Sequence, residues 1–159
     1  MKTIILVRGE IAVVSDEDYD YLNKFSWHSC PGGYVKRTVD RNKTVLMHRE
    51  VVIRMGLQLL EDVDHRDNNP LNNQRDNLRV ATVSQNQANS KMNITNVTGF
   101  KGVVFNARQN KWQAQIRHRG QRLYLGLFDC PIKAAKKYNE VALRLFGEFA
   151  KLNKVEERG

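Results

Sequence analysis

Asp64 and His65 stand side by side in "DVDH", and seven asparagines fall within residues 62–90. Asn is a poor strand former and an indifferent helix former. Its concentration here marks either a turn-rich loop or a set of amides that hold something. A carboxylate and an amide oxygen, such as those of Asp64 and Asn86, are hard ligands suited to Mg²⁺, with Mn²⁺ as the alternative. Such ions keep several waters and take further ligands from substrate phosphate. His65 has no second imidazole or thiolate near it in sequence, which argues against zinc. A lone imidazole can instead take a proton from water. A base that makes the nucleophile and a metal on the phosphate together suffice to cut a phosphodiester.

The elements around these residues follow from pattern. "VDH" reads as a strand stub, "RDNNPLNNQRD" as a loop, "NLRVAT" as a second strand and "TVSQNQANSK" as a short helix, with Thr82 and Gln85 at capping-box spacing. On the stub, Asp64 and His65 leave in opposite directions. Asn86 falls in the first turns of the helix, where it can face back across the hairpin. Asn68, Asn69, Asn72 and Asn73 are expected only to shape the loop, since Asn bonds its own backbone and tolerates left-handed conformations. Upstream, 3–14 and 33–47 read as short strands, with helices expected over "SDEDYDYLNKF" and near 47–55. Trp27 and His28 are expected to pack, and His48 to be a packed or hydrogen-bonded histidine, with Arg49 beside it available to phosphate.

Past "KMNITNVT", which is polar and aperiodic, come three alternating runs, "GFKGVVFNA", "KWQAQIRHRG" and "QRLYLGLF". Trp112, Ala114 and Ile116 alternate with Gln113, Gln115 and Arg117, the period of a half-buried strand. From Pro131 to Gly147 the apolar residues keep helical spacing. A three-stranded antiparallel sheet backed by one helix accounts for the segment.

Charge separates the two regions. Residues 1–96 carry thirteen Lys/Arg against twelve Asp/Glu, whereas residues 97–159 carry thirteen against five, which leaves nearly all of the chain's +9 in its last third. That segment is expected to grip a polyanion. Cys30 and Cys130 are the only cysteines, and they read as reduced thiols of an intracellular, cytoplasmic protein. The N-terminal "TIILV" is too short for a signal core or a membrane span.

"VDHRDNNPLNNQRDNLRVATVSQNQAN" resembles the HNH nuclease motif, the ββα-metal site, in the zinc-free form of phage and intron homing endonucleases. "IAVVSDEDYDYL", "KFSWH" and "MHREV" resemble the segment that precedes it. The resemblance implies Asp64 as metal ligand and His65 as general base. It implies Asn77 as the residue that fixes the His65 loop, and Asn86 as the second protein ligand where many relatives have His. Residues 99–153 resemble the APETALA-type, or ethylene-response-factor, DNA-binding domain through "KGV", "KWQAQI", "RLYLGLFD" and "AAKKYNEVALRLFGEFAKLN". That family lays its sheet in the major groove, which implies DNA contacts from Lys101, Asn106, Arg108, Gln113, Gln115, Arg117, Arg122 and Tyr124. Val104 and Tyr124 depart from the Arg and Trp common in plant members, so base preference does not transfer.

The expected fold is therefore α+β. An N-terminal ββα-metal (His-Me finger) unit with preceding short strands and helices occupies 1–92, its core at about 60–92. A linker covers 93–98, the sheet-and-helix module 99–153 and a tail 154–159. The expected function is metal-dependent cleavage of double-stranded DNA, with Mg²⁺ as cofactor, no membrane partner, and a monomer rather than a dimer as the default. The alternative is a non-catalytic DNA-binding regulator with a decayed nuclease unit.

Overall fold

The computed structural model describes residues 1–41, 43–92 and 96–155. They form a mixed α+β protein of two compact units, Met1–Thr82 and Val83–Gly159. The division falls before the expected linker. Residues 93–95 of that linker, and 156–159 of the expected tail, lie outside the described residues. Asn96 and Thr98 are tied to the sheet module instead: the Asn96 amide donates to the Phe100 carbonyl at 2.8 Å and the Thr98 hydroxyl to the Val103 carbonyl at 3.0 Å.

The first unit opens with an antiparallel hairpin, β1 (Lys2–Ile5) and β2 (Ile11–Val14), followed by α1 (Asp16–Leu22). Strands β3 (His28–Ser29), β4 (Val35–Asp40) and β5 (Lys43–Leu46) make a second antiparallel sheet that runs straight into α2 (Met47–Arg54). Next come β6 (Asp62–His65), β7 (Asn72–Asn73) and β8 (Leu78–Ala81). β6 and β8 pair antiparallel, with Asp64 opposite Arg79 and His65 opposite Leu78. β7 pairs parallel with β2, so two asparagines read as loop formers are a short strand whose backbone extends the first sheet.

Apolar residues from every part of this unit meet in one core of Ile4, Leu6, Val14, Leu22, Trp27, Val35, Met47, Val51, Val52, Val63 and Leu78. Trp27 closes it, with its indole N–H on the Leu22 carbonyl at 2.8 Å, which satisfies the one polar atom of a buried ring. Asp18 is fully buried yet charged, because Arg54 and Arg75 both grip its carboxylate at 2.7 Å.

In the second unit α3 (Val83–Asn89) precedes β9 (Val103–Asn106), β10 (Lys111–His118), β11 (Gln121–Phe128) and α4 (Pro131–Phe146), which ends in a 3-10 turn, Gly147–Phe149. The sheet order is β11-β10-β9, all antiparallel. Its inner face lays Val103, Ala114 and Ile116 on Ala134, Ala135, Tyr138 and Val141 of α4. A bulge at Ala114/Gln115 shifts the register with β11. Gln115 therefore faces Tyr124, while Leu123 and Leu125 stay on the helix side. No helix among the described residues is long and apolar enough to cross a membrane.

Candidate active site

Asp64 and His65 end β6, at 3% and 6% exposure. The directly opposed Arg79 places Nε and a terminal nitrogen each 2.8 Å from Asp64 Oδ2. A buried carboxylate needs such a counter-charge, and here its neighbour on the hairpin provides it.

His65 sits among aromatic rings from two other elements. The His48 ring of α2 meets it edge to face at 5.2 Å and 84°. Tyr34, one residue before β4, lies 5.9 Å from His65 and 5.2 Å from His48. Burial pulls the His65 pKa below the ordinary imidazole value, against the opposing pull of Asn73, Asp67 and Asp64. His48 is pushed down to about 3, by burial first and then by the charges of His65 and Arg49. Both rings are thus neutral near pH 7, the state in which imidazole accepts a proton. Sequence spacing gives no sign of the Tyr34–His48–His65 cluster, whose members come from three separate elements.

The loop after His65 is held by amides. Asn77 is buried; its Oδ1 accepts the Asp67 N–H at 3.1 Å, and its Nδ2 donates to Asp67 Oδ1 at 3.0 Å and to the Asn72 carbonyl at 2.8 Å. Its backbone carbonyl takes the Arg66 N–H at 2.9 Å. Asn77 thus ties the first turn after His65 to the start of β8. Asn68 adopts a positive φ of 59°, and Asn69 and Asn72 bond neighbouring backbone and Asp67. Burial would raise the Asp67 carboxyl, but donors from Asn69, Asn72 and Asn77 outweigh it and hold its pKa low. Asn73 differs from its neighbours in being fully buried, with Nδ2 on the Pro70 carbonyl.

Asn86 lies half-buried on α3, which belongs to the second unit. That helix is anchored by Lys101, whose ammonium donates to the carbonyls of Ala88 at 2.6 Å and Ser90 at 2.7 Å. A cation at the carbonyl end of a helix meets the negative pole of its dipole. Asn153 locks the Lys101 backbone from both sides, at 2.6 and 3.0 Å, and is itself bonded twice by Asn139 of α4. Lys101, expected to face a ligand, is committed to the fold. Burial lowers its pKa to about 8, helped by Lys151.

The other candidates of this unit share the sheet face turned away from α4. Asn106 stands opposite Lys111, Gln115 opposite Tyr124 and Arg117 opposite Arg122. Gln113 bonds Gln115 at 3.3 Å, Tyr124 is 61% exposed, and Arg108 occupies the exposed turn after β9. Lys111, opposite Asn106, pairs with Asp129 at 3.4 Å.

Comparison with known proteins fits this geometry. The model of a family described as HNH endonuclease matches residues 60–88. An uncharacterized HNH endonuclease of Acanthamoeba polyphaga mimivirus is 31% identical over 151 residues, 94% of this chain and 78% of the relative. The chain belongs to the HNH endonuclease family. Protein 3.8 of Escherichia phage T7 is 35% identical over 60 residues, 38% of this chain and 50% of its own length. APETALA2-like protein 2 of Oryza sativa subsp. indica is 35% identical over 54 residues, 34% of this chain and 12% of its own. No solved structure matches. Membership implies nuclease activity and a nucleic-acid substrate, and HNH nucleases generally use a divalent metal ion.

The residues here fit a hard ion. Among the described residues no three His, Cys, Asp or Glu side chains gather as a metal cage. The hard donor on β6 is the Asp64 carboxylate, whose Oδ2 is held by Arg79, and a carboxylate suits an ion that keeps water and phosphate as its other ligands.

Proposed function

We propose that this HNH family member is a metal-dependent DNA endonuclease in which His65 activates water. The observation that carries the reading is the setting of His65. It is a neutral, buried imidazole set against the rings of Tyr34 and His48, at the start of the loop that Asn77 braces. A base held in one orientation is worth more than a mobile one, because proton transfer requires a defined geometry at the reacting oxygen. His65 would take the proton of the attacking water, and its lowered pKa keeps it ready to do so at neutral pH. Asp64 is the residue of the first unit that we assign to one Mg²⁺ or Mn²⁺ ion, which when bound would offset charge on the phosphate and the leaving oxygen; Asn86 of the second unit is kept as a separate candidate ligand. Asn77 acts at one remove, by holding the turn from which His65 projects.

The second unit contributes recognition in this reading. Its open sheet face presents Gln113, Gln115, Arg117, Arg122 and Tyr124 on a surface that α4 leaves uncovered. The likeness to the rice APETALA2-like protein spans a segment of about this size. A two-stranded ribbon or small sheet fits the major groove, where Arg reads guanine and Gln reads adenine. Asn106 and Arg108 at the sheet's edge would hold phosphate, while the Lys101 ammonium donates to the carbonyls of Ala88 and Ser90.

The test is plasmid cleavage with Mg²⁺ by full-length protein and by His65→Ala. Loss of a general base lowers rate by about 10²–10⁴-fold, while gel-shift affinity for the same DNA stays as it was. Equal cleavage by the variant would remove His65 from the mechanism. Binding without cleavage by the wild type would leave the regulator reading in its place.

A further inference from the structure

The first unit carries an open cleft of about 490 Å³ lined by Arg8, His28, Ser29, Cys30, Lys36 and Thr38. Strand register explains why these residues converge. His28 is directly opposite Lys36 across β3 and β4, and such partners place their Cβ atoms roughly 5 Å apart on one face. The Val7 N–H donates to the Trp27 carbonyl at 2.9 Å, which brings the β1–β2 loop, and with it Arg8, alongside His28. The neighbouring carboxylate is Glu10, which accepts the Ser29 hydroxyl at 2.6 Å and has its pKa lowered by that bond. Glu10 also feels the charge of Arg8, and two cations against one carboxylate leave the cleft positive. Among the described residues, neither Arg8 nor Lys36 has a carboxylate within ion-pair distance.

The cleft is also aligned with the site. Side chains alternate along a strand, so Tyr34, Lys36 and Thr38 lie on one face of the β4 segment. Tyr34 is the residue whose ring meets His65 and His48. The turn before it is pressed against the Asn-rich loop: a Cβ on Gly33 would stand 2.9 Å from Pro70 Cγ. At about 3.3 Å per residue, Lys36 lies roughly 7 Å and Thr38 roughly 13 Å along the strand from Tyr34. The duplex axis rises about 3.4 Å per nucleotide. With β4 laid along that axis, an orientation that belongs to the inference, Lys36 and Thr38 stand about two to four nucleotide steps from the Tyr34 end. β4 ends at Asp40, an exposed acidic residue that does not favour phosphate.

We infer that this cleft grips the DNA backbone two to four nucleotides from the scissile phosphate, through Arg8 and Lys36. The nuclease unit, nearly neutral in total charge, thus has its own phosphate contact, separate from the basic sheet module. The position along the strand rests on the reading of His65 as the catalytic base.

The experiment uses full-length protein and a DNA duplex that it cuts at a mapped position. Fluorescence anisotropy at several salt concentrations gives the slope of log K against log[salt]. Each lost phosphate contact removes about 0.9 from that slope, so Arg8→Gln with Lys36→Gln lowers it by about 1.8. Lys36→Arg keeps the charge and leaves the slope at the wild-type value. Neutral methylphosphonate linkages two to four nucleotides from the cut weaken wild-type binding but not binding by the double variant. If the wild type cleaves and the double variant keeps the wild-type slope, the cleft inference falls and the nuclease reading stands. If the wild type binds but never cleaves, the nuclease reading falls and takes the inferred register with it. Tighter binding to an RNA duplex of the same sequence would overturn the assignment to DNA.

Discussion

Lowering the pH from 7.5 to 5 should destabilise the first unit by about 2 kcal/mol through His48 alone. The ring is 5% exposed and its pKa falls from the ordinary 6.5 to about 3 in the folded protein. Unfolding returns it to water, where it binds a proton below pH 6.5. Between those values the unfolded chain holds a proton that the folded chain does not, so falling pH favours unfolding. The contribution is intact above about pH 7, reaches about 2 kcal/mol of loss at pH 5, and levels off near 5 kcal/mol below both values. His65 shifts in the same direction and adds to the loss. The low-pKa carboxylates Asp18 and Asp67 act only below about pH 4, outside this window.

Subtracting a His48→Phe variant isolates the His48 contribution, since Phe keeps an aromatic ring beside His65 but cannot be protonated. Urea denaturation at pH 7.5, 6 and 5 can be followed by fluorescence of the buried Trp27, in a Trp112→Phe background so that one indole reports one unit. The expected result is a wild type that loses about 2 kcal/mol more than the variant between pH 7.5 and 5, or roughly 10 °C in Tm for a unit of this size. Equal losses in the two proteins would refute a buried neutral His48, and with it the account of the ring cluster. Because His48 in the folded protein stays neutral down to about pH 3, its own protonation should not stop cleavage over this range, and cleavage should fall only as far as the unit unfolds.

Three further outcomes are expected. Asn77→Ala removes three side-chain hydrogen bonds from a buried turn; it should cost about 2–3 kcal/mol in urea denaturation and slow single-turnover cleavage with duplex affinity retained. Lys101→Met keeps the apolar stem but removes the ammonium from the Ala88 and Ser90 carbonyls, leaving Ala88 only the Lys151 N–H; amide exchange in α3 should rise, at a cost of about 1–3 kcal/mol. Arg117→Gln with Arg122→Gln should lower the salt slope of duplex binding by about 1.8, while amide exchange in α3 stays at the wild-type rate.

The second unit was the more legible from sequence. A half-buried strand writes its burial into every second residue, as Trp112, Ala114 and Ile116 do, and α4 writes its own at helical spacing. The strands β3 and β7 are two residues long and carry no such signal. Asn72 and Asn73 have loop chemistry but strand pairing, because β2 offers a free edge to their backbone. Asp64, His65 and Asn77 stood out by type and order. His48 was expected to pack and does, but its partners His65 and Tyr34 were not legible, since contacts made between separate elements leave no period in the sequence. Lys101 shows the limit of reading charge: a lysine near a basic sheet looks like a phosphate contact until its ammonium is found on helix carbonyls.

The division of the chain bears on how the nuclease should be cut for study. The family match runs over residues 60–88 and so crosses from the first unit into the second at Thr82/Val83. Asp64, His65 and Asn77 depend on the β6–β8 hairpin and the core beneath it. Asn86 depends on α3, a helix of seven residues, too short to persist in isolation. What sustains α3 is Ala88 packed in the cluster of Ile116, Tyr138 and Phe146, the Lys151 N–H on the Ala88 carbonyl, and the Lys101 ammonium. Every one of those supports lies beyond residue 98. A truncation in the compositional linker at 93–98 removes the sheet module and with it these supports of α3. Such a fragment should show α3 amides exchanging at unprotected rates, and its loss of cleavage would then measure the collapse of α3 together with the loss of DNA grip. Point substitutions on the open sheet face separate those two effects, because Arg117 and Arg122 make no contact that α3 needs.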